Sequence, residues 1–348
     1  MRTTWTLIAL IAGVTVAAAA AHYAGAPSLV TFGIATAALA GLAWIVSFST
    51  EQVGERFGAA VTGLLQSTLG NLPEFFIVVF ALRAGEVIVA QASIIGSIFA
   101  NALLVLGLVI LAGCRESKDG LMRFLVRLPK DNVTLMILAS FLIVLIGVSV
   151  GTGDKASHHV EAISIVGAVA LLITYGVWLV DYIRSDPPRE PSQEAPRVSM
   201  ALAVTLLAVG GVAAAFVSDW FIAALTPAMD RIDVPKAFAG LVIVAIAGNA
   251  VENTAGVALA LKGEADLAIS VVKNSVAQIT AFLFPALVLV SLLFETSLTF
   301  ALAPVYIGAL LLTALALWQI TGDGEATRFE GVALISLYVI LAVLTFFE

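Results

Sequence analysis

Apolar positions along this chain come in long unbroken runs rather than at the spacing of half-buried helices or strands. A helix needs about 20 mostly apolar residues to cross a bilayer. Eleven segments meet that length, at roughly 5–21, 29–49, 57–83, 86–112, 131–150, 160–183, 199–221, 236–261, 264–293, 298–320 and 327–347. The pattern predicts an all-α polytopic membrane protein. Polar residues interrupt two of the runs in the same way: Gly70-Asn71-Leu72-Pro73-Glu74 in the third segment and Gly248-Asn249-Ala250-Val251-Glu252 in the eighth. The offset, 248 − 70 = 178 residues, also aligns Gly85-Glu86 with Gly263-Glu264 and Ser97 with Ser275.

With the first segment set aside, ten remain, five and five, and the signature falls in the second of each five. An odd number of spans per unit inverts one unit relative to the other, the architecture in which broken helices meet near the midplane. The organisation predicted is an N-terminal helix over 1–28, a first repeat over 29–183, a linker over 184–198 and a second repeat over 199–348. A cleavable leader ending near Ala24-Gly25-Ala26 is the alternative to a retained first helix. The linker carries Pro187, Pro188, Pro191 and Pro196 with balanced charge, and reads as an extended, passive connector.

Composition agrees. The chain has 348 residues, 61% hydrophobic and 12% charged, where a soluble domain carries about 25% charged. No sizeable soluble domain fits, and nothing points to nucleic acid. Charge location says more than the formal net charge of −7. With the N-terminus and the even-to-odd loops on one face, that face collects twelve basic residues, among them Arg2, Arg115, Lys118 and Lys262; the other has four, Arg83, Lys155, Arg231 and Lys236. The asymmetry predicts a cytoplasmic N-terminus and an outside C-terminus. The basic loop from Arg115 to Lys130 is expected against anionic lipid headgroups. Cys114 is the lone cysteine and reads as a packing residue.

The duplicated signature is where chemistry is expected, because an acidic residue inside a span is costly. Gly70 and Gly248 tolerate the backbone angles of an interrupted helix, and Pro73 removes a further hydrogen bond. Interruption frees carbonyl oxygens that lipid cannot satisfy. Asn71 and Asn249 each put an amide three residues before a carboxylate. Facing each other, the two hairpins would join Glu74 and Glu252 in an all-oxygen set that suits a hard cation such as Ca²⁺. Two adjacent carboxylates in a low dielectric need either a cation or protons to neutralise them. That mutual exclusion is the requirement for exchange. In the following helices, Ser97 with Asn101 and Ser275 with Gln278 share helix faces, and are expected to ligate or orient; interhelical hydrogen bonding is the alternative role. No further cofactor is expected.

Gly70-Asn71-Leu72-Pro73-Glu74, Ala81-Leu82-Arg83-Ala84-Gly85, Gln91-Ala92-Ser93-Ile94-Ile95-Gly96-Ser97 and Asn101 resemble the first α-repeat of the calcium/proton exchangers, within the calcium/cation antiporter superfamily. Gly248-Asn249-Ala250-Val251-Glu252, Lys262, Asp266-Leu267-Ala268 and Gln278 are similar to the second. The resemblance implies that Glu74 and Glu252 bind Ca²⁺ in competition with H⁺, with Asn71, Asn249 and nearby carbonyls helping, and that outer helices move around the site. Three departures stand out. Asn253 replaces the usual histidine, Asn274-Ser275 replaces a Gly-Ser pair, and the linker lacks an acidic stretch. Lys273 lies within a span; helical geometry turns it about 140° from Gln278. It is expected to snorkel toward the cytoplasm, the sharper alternative being a salt bridge to a site carboxylate.

The expected function is a secondary antiporter of a bacterial inner membrane, exchanging cytoplasmic Ca²⁺ for protons. Na⁺ as substrate or counter-ion is the nearest rival. An ion sensor without transport and an acid-pair intramembrane protease are the others. Self-association into a homo-oligomer is left open. Glu51 and Glu55, four apart at a helix end, read as solvated charges, and His158-His159 as a loop pair without further ligands.

Overall fold

The computed structural model describes residues 2–54, 69–125, 127–185 and 197–347; side chains are described there except at 2–3, 54, 127–130, 132, 182–183, 185 and 251–253. The helices are α1 (Arg2–Tyr23), α2 (Ser28–Gly54), α3 (Leu72–Arg83), α4 (Val87–Glu116), α5 (Arg127–Thr152), α6 (Val160–Ser185), α7 (Met200–Ile232), α8 (Lys236–Gly248), α9 (Ala250–Leu261), α10 (Ala265–Ser291), α11 (Pro304–Thr321) and α12 (Arg328–Phe346). Among the described residues, nine helices are long and apolar enough to cross a membrane. The signature-bearing segments are not among them. The second is split into α8 and α9 at the signature, the broken helix expected there, and the first is described only from residue 69.

The two halves repeat each other down to single dihedral angles. Asn71, before α3, has φ −92° and ψ 19°; Asn249, between α8 and α9, has φ −95° and ψ 17°. The turns that follow also match. Gly85 and Gly263 adopt φ of 75° and 79°, a left-handed conformation that side chains disfavour. Each turn returns an amide to the helix it ends, Glu86 N to Ala81 O at 2.8 Å and Glu264 N to Leu259 O at 3.0 Å. The next helices, α4 and α10, each relax into a π turn, at Ala100–Val105 and Ile279–Leu283. The two helices cross where those turns lie.

The first helices of the two halves, α2 and α7, run side by side. Gly210 admits Ile45, whose Cγ2 would lie 3.1 Å from a Cβ at that glycine, and Phe32 stacks on Phe221 at 5.0 Å between centroids. Helix α1 stands outside the duplication, with Ile11 against Gly41. A two-stranded antiparallel ribbon, β1 (Leu121–Arg123) with β2 (Glu325–Thr327), joins one loop from each half. These are both even-to-odd loops, so the ribbon puts them on one face. Cys114 is buried and its Sγ donates to Ala326 O at 3.3 Å beneath that ribbon.

Two boundaries differ from the sequence expectation. Helix α7 continues past 221 to Ile232, carrying Asp219 and Asp230 on a helix longer than its apolar stretch. Helix α11 begins at Pro304 rather than near 298. The preceding apolar residues are held instead by side-chain caps, Leu298 N donating to Ser291 Oγ at 2.8 Å and Phe300 N to Ser164 Oγ at 3.2 Å. The linker residues 186–196 lie outside the described residues, as does Glu55.

Candidate functional site

The site is assembled at the crossing of α4 and α10, flanked by the two helix breaks. Asn249 leaves helical geometry between α8 and α9, and Asn71 has the same backbone angles at the start of α3. In the first half Pro73 sits in the opening turn of α3, where its missing N–H leaves no helical bond unmade. Glu74 follows it and is buried. Its carboxylate lies against the other break: a Cβ at Gly248 would stand 2.8 Å from Glu74 Oε1 and 3.2 Å from its Cδ. A side chain at 248 would push the acid of the opposite half out of this position.

The signature amides cross over between halves as well. Asn249 Nδ2 donates to Ser97 Oγ at 2.8 Å and to Ala245 O at 2.8 Å, while Asn249 Oδ1 accepts from Asn101 Nδ2 at 2.6 Å. Asn71 Nδ2 reaches Gln278 Oε1 at 3.4 Å, a long and weak contact. Thus each asparagine is met by the crossing helix of the other repeat. The second-half asparagine is gripped tightly and the first-half one loosely. Asn71, Ser97, Asn101, Asn249 and Ser275 are buried. Ser275 Oγ and Asn101 Oδ1 are buried oxygens with no hydrogen-bond partner. Such atoms are uncommon in folded proteins and are what a cation would recruit.

Gly70 occupies the turn before Asn71. Glu252 falls in the first turn of α9, and its side chain, like that of Asn253, lies outside the described residues. Among the described residues no group of three or more His, Cys, Asp or Glu side chains clusters for a metal. His158 and His159 are exposed in a short turn.

Lys273 corrects its expectation. It does not snorkel: its relative exposure is 1%. Among the described residues its ammonium meets no carboxylate; it donates to Thr321 Oγ1 at 3.1 Å. Thr321 hands its own proton to Leu317 O at 2.6 Å. The 178-residue offset puts Ile95 and Ile143 at the corresponding places of the first half, both buried. Sequence reasoning singled out Lys273 but missed its partner, because Thr321 is 48 residues away on α11 and nothing in its surroundings marks it.

A second polar contact that the sequence did not announce lies at the far end of α4 from the ribbon. Glu86 Oε1 accepts from Lys236 Nζ at 2.8 Å and from Thr226 Oγ1 at 2.7 Å, binding the turn of one half to α7 and α8 of the other. Partial burial pushes the Glu86 carboxyl up, but the hydrogen bonds from Lys236 and Thr226 outweigh it and hold the group below the ordinary glutamate value of 4.5.

Comparison with known proteins was decisive for class. The family model described as sodium/calcium exchanger protein matches residues 27–182 and 202–347. The chain is 29% identical over 324 residues to the Ca(2+)/H(+) antiporter ChaA of Bacillus subtilis, covering 91% of this chain and 92% of that protein. It is 28% identical over 351 residues to a Ca(2+)/H(+) antiporter of Synechocystis, covering 94% of each. Among solved structures, native YfkE superposes with a TM-score of 0.83 at 27% identity, over 98% of this chain and 100% of that one. These relatives are transporters rather than enzymes, which disfavours the protease reading.

Proposed function

The chain belongs to the sodium/calcium exchanger family, and from that premise we propose that it is an antiporter exchanging cytoplasmic Ca²⁺ for protons by alternating access. The observation that carries this reading is the Glu74 carboxylate lodged against Gly248, the glycine of the opposite repeat's break. Glu252, four residues further on, is the second carboxylate of the proposed pair. Amide oxygens of Asn71 and Asn249, the hydroxyls of Ser97 and Ser275, the amides of Asn101 and Gln278, and carbonyls around Gly70 and Gly248 complete an oxygen-only environment suited to Ca²⁺. When Ca²⁺ leaves, two carboxylates in a low dielectric take up protons, because both cannot stay ionised together. Ca²⁺ and H⁺ therefore occupy the site in turn, and exchange follows if the empty, ionised site does not reorient. The relatives' names as Ca²⁺/H⁺ antiporters support the same ion pair. We place it in a bacterial plasma membrane, and the basic-residue asymmetry supports an N-terminus that is cytoplasmic and a C-terminus outside.

The test is Ca²⁺ uptake into everted vesicles under an imposed pH gradient, for the wild type, Glu74→Gln and Glu252→Gln. Gradient-driven uptake lost in both variants supports the proposal. No Ca²⁺ uptake by the wild type, with a proton response to Na⁺ instead, would keep the site and replace the substrate. Silence to every cation would make the chain a sensor.

A further inference from the structure

The surface of α10 that runs toward the site is not what duplication would produce. Asp266, Ser270, Asn274 and Gln278 are spaced by four residues along one ridge of the helix. Asp266 is exposed at the ribbon end of α10, and Ser270, Asn274 and Gln278 are half-buried, while Val272, Lys273, Ser275, Val276 and Ala277 between them are buried. The ridge ends at the Asn71–Gln278 contact, about 18 Å from its start at 1.5 Å per residue. Ser270 Oγ lies 3.4 Å from Asn274 Nδ2, which turns the amide so that Asn274 Oδ1 is left buried with no hydrogen-bond partner.

The corresponding positions of α4 are Ile88, Ala92, Gly96 and Ala100, without a polar side chain. There the ridge is sealed. A Cβ at Gly96 would meet Leu241 O and come within 2.5 Å of its Cα, and a Cβ at Gly240 would stand 2.8 Å from Ala92 Cβ. The Glu86–Lys236 ion pair closes that same end.

We propose that the Asp266–Ser270–Asn274–Gln278 ridge is the access route for the transported cation from the ribbon face, and that Asn274 Oδ1 is a ligand on that route. A cation stripped of part of its hydration shell needs a neutral oxygen one helical turn before Gln278 and the carboxylates. Asn274 supplies one where the family pattern has glycine. Asp266 offers charge at the mouth, one of its oxygens already accepting from Leu125 N at 2.7 Å. The route rests on the exchanger reading, but not on which cation is carried.

The experiment is thiol accessibility in the full-length protein with Cys114→Ser as background, which removes the chain's one cysteine. Ser270→Cys and Asn274→Cys should react with a membrane-impermeant reagent applied to the ribbon face and not to the opposite face. Ala92→Cys should react from neither. Labelling of Ser270→Cys and Asn274→Cys from both faces, or from neither, would overturn the route. Labelling that is ribbon-sided but protected by Na⁺ rather than Ca²⁺ would keep the route and remove the Ca²⁺ assignment. In uptake assays, Asn274→Gly should raise the half-saturating Ca²⁺ concentration on the ribbon face roughly tenfold, the loss of one oxygen contact to a charged group. It should leave the opposite face unchanged; an equal change on both faces would mean a structural role only.

Discussion

Helices α4 and α10 descend from one pattern and now differ in an ordered way. Both follow a turn with a positive-φ glycine, both carry a serine at the equivalent place, both relax into a π turn, and both reach across to the asparagine of the opposite break. They part along one ridge and beside it: Gln278, which meets Asn71 at the first break, is matched by Ala100. Ile95 is matched by Lys273, Gly96 by Asn274 and Ala92 by Ser270. Duplication has held constant the backbone interruption and the serine hydroxyl beside it, at Ser97 and Ser275. It has let go of the flanks, where α4 seals against its neighbour and α10 presents a polar ridge.

The largest effects should come from changes at the shared part. Glu74→Gln is expected to abolish proton-driven Ca²⁺ uptake while the protein still folds, because the amide keeps the shape and loses the charge that either Ca²⁺ or a proton must neutralise. Gly248→Ala should come close to it. Its methyl would stand 2.8 Å from Glu74 Oε1, so the carboxylate must move out of position. Uptake should fall at least about tenfold with the unfolding temperature almost unchanged, since a carboxylate is the flexible end of its side chain. Normal uptake by Gly248→Ala would break the claim that Glu74 serves from this position.

At the diverged flank the effects should be on stability. Gly96→Ala forces a methyl into the Leu241 backbone and should cost about 1–3 kcal/mol, as overpacking does. The matching change in the other half, Asn274→Gly, should cost only a few tenths of a kcal/mol of helix propensity. Equal losses in thermal unfolding of the detergent-solubilised variants would mean that the two flanks are packed alike and that the contrast between them is mistaken.

Much of this was legible in the residues before any coordinates. The apolar helices and the places of the signature follow from long apolar runs and one offset, because lipid leaves a backbone few choices. The crossover of Asn249 onto Ser97 and Asn101 was half legible, since the helix faces could be read but not which half each would meet. Lys273 was misread for a physical reason. Snorkelling assumes that the interface is nearer than any internal acceptor, and a threonine on α11 supplied one. Glu86 was legible only as a turn residue. Its partners Lys236 and Thr226 are 150 and 140 residues away, and pairing at that separation leaves no local pattern.

Lys273→Ile would place here the residue type that the first half carries at the equivalent position, Ile95. An ammonium with a single neutral acceptor is poorly compensated for its lost hydration, and apolar replacements of buried charges are often stabilising. The variant should unfold at a higher temperature, by the equivalent of about 1–2 kcal/mol, with Thr321 still donating to Leu317 O. A lower unfolding temperature would show that the Lys273–Thr321 bond outweighs the desolvation of the charge.

The smallest effect belongs to the ion pair that exists in one half only. Glu86 meets Lys236, whereas its counterpart Glu264 makes no ion pair among the described residues and the position equivalent to Lys236 is Gly58. The pair is partly exposed, with 21% and 34% of the two side chains accessible, so its coupling should be about 0.2–1 kcal/mol in a double-mutant cycle of Glu86→Gln and Lys236→Met. The sign of its pH dependence follows from the lowered Glu86 value. Below 4.5 the unfolded chain takes up a proton that the folded one still refuses, so the contribution is complete above that pH and fades as pH falls through the folded group's lower value. Glu86→Gln should therefore flatten the acid limb of the stability curve. If it leaves that limb as it was, the ion pair carries none of this face's stability, and the seal rests on the Gly96 and Gly240 contacts alone.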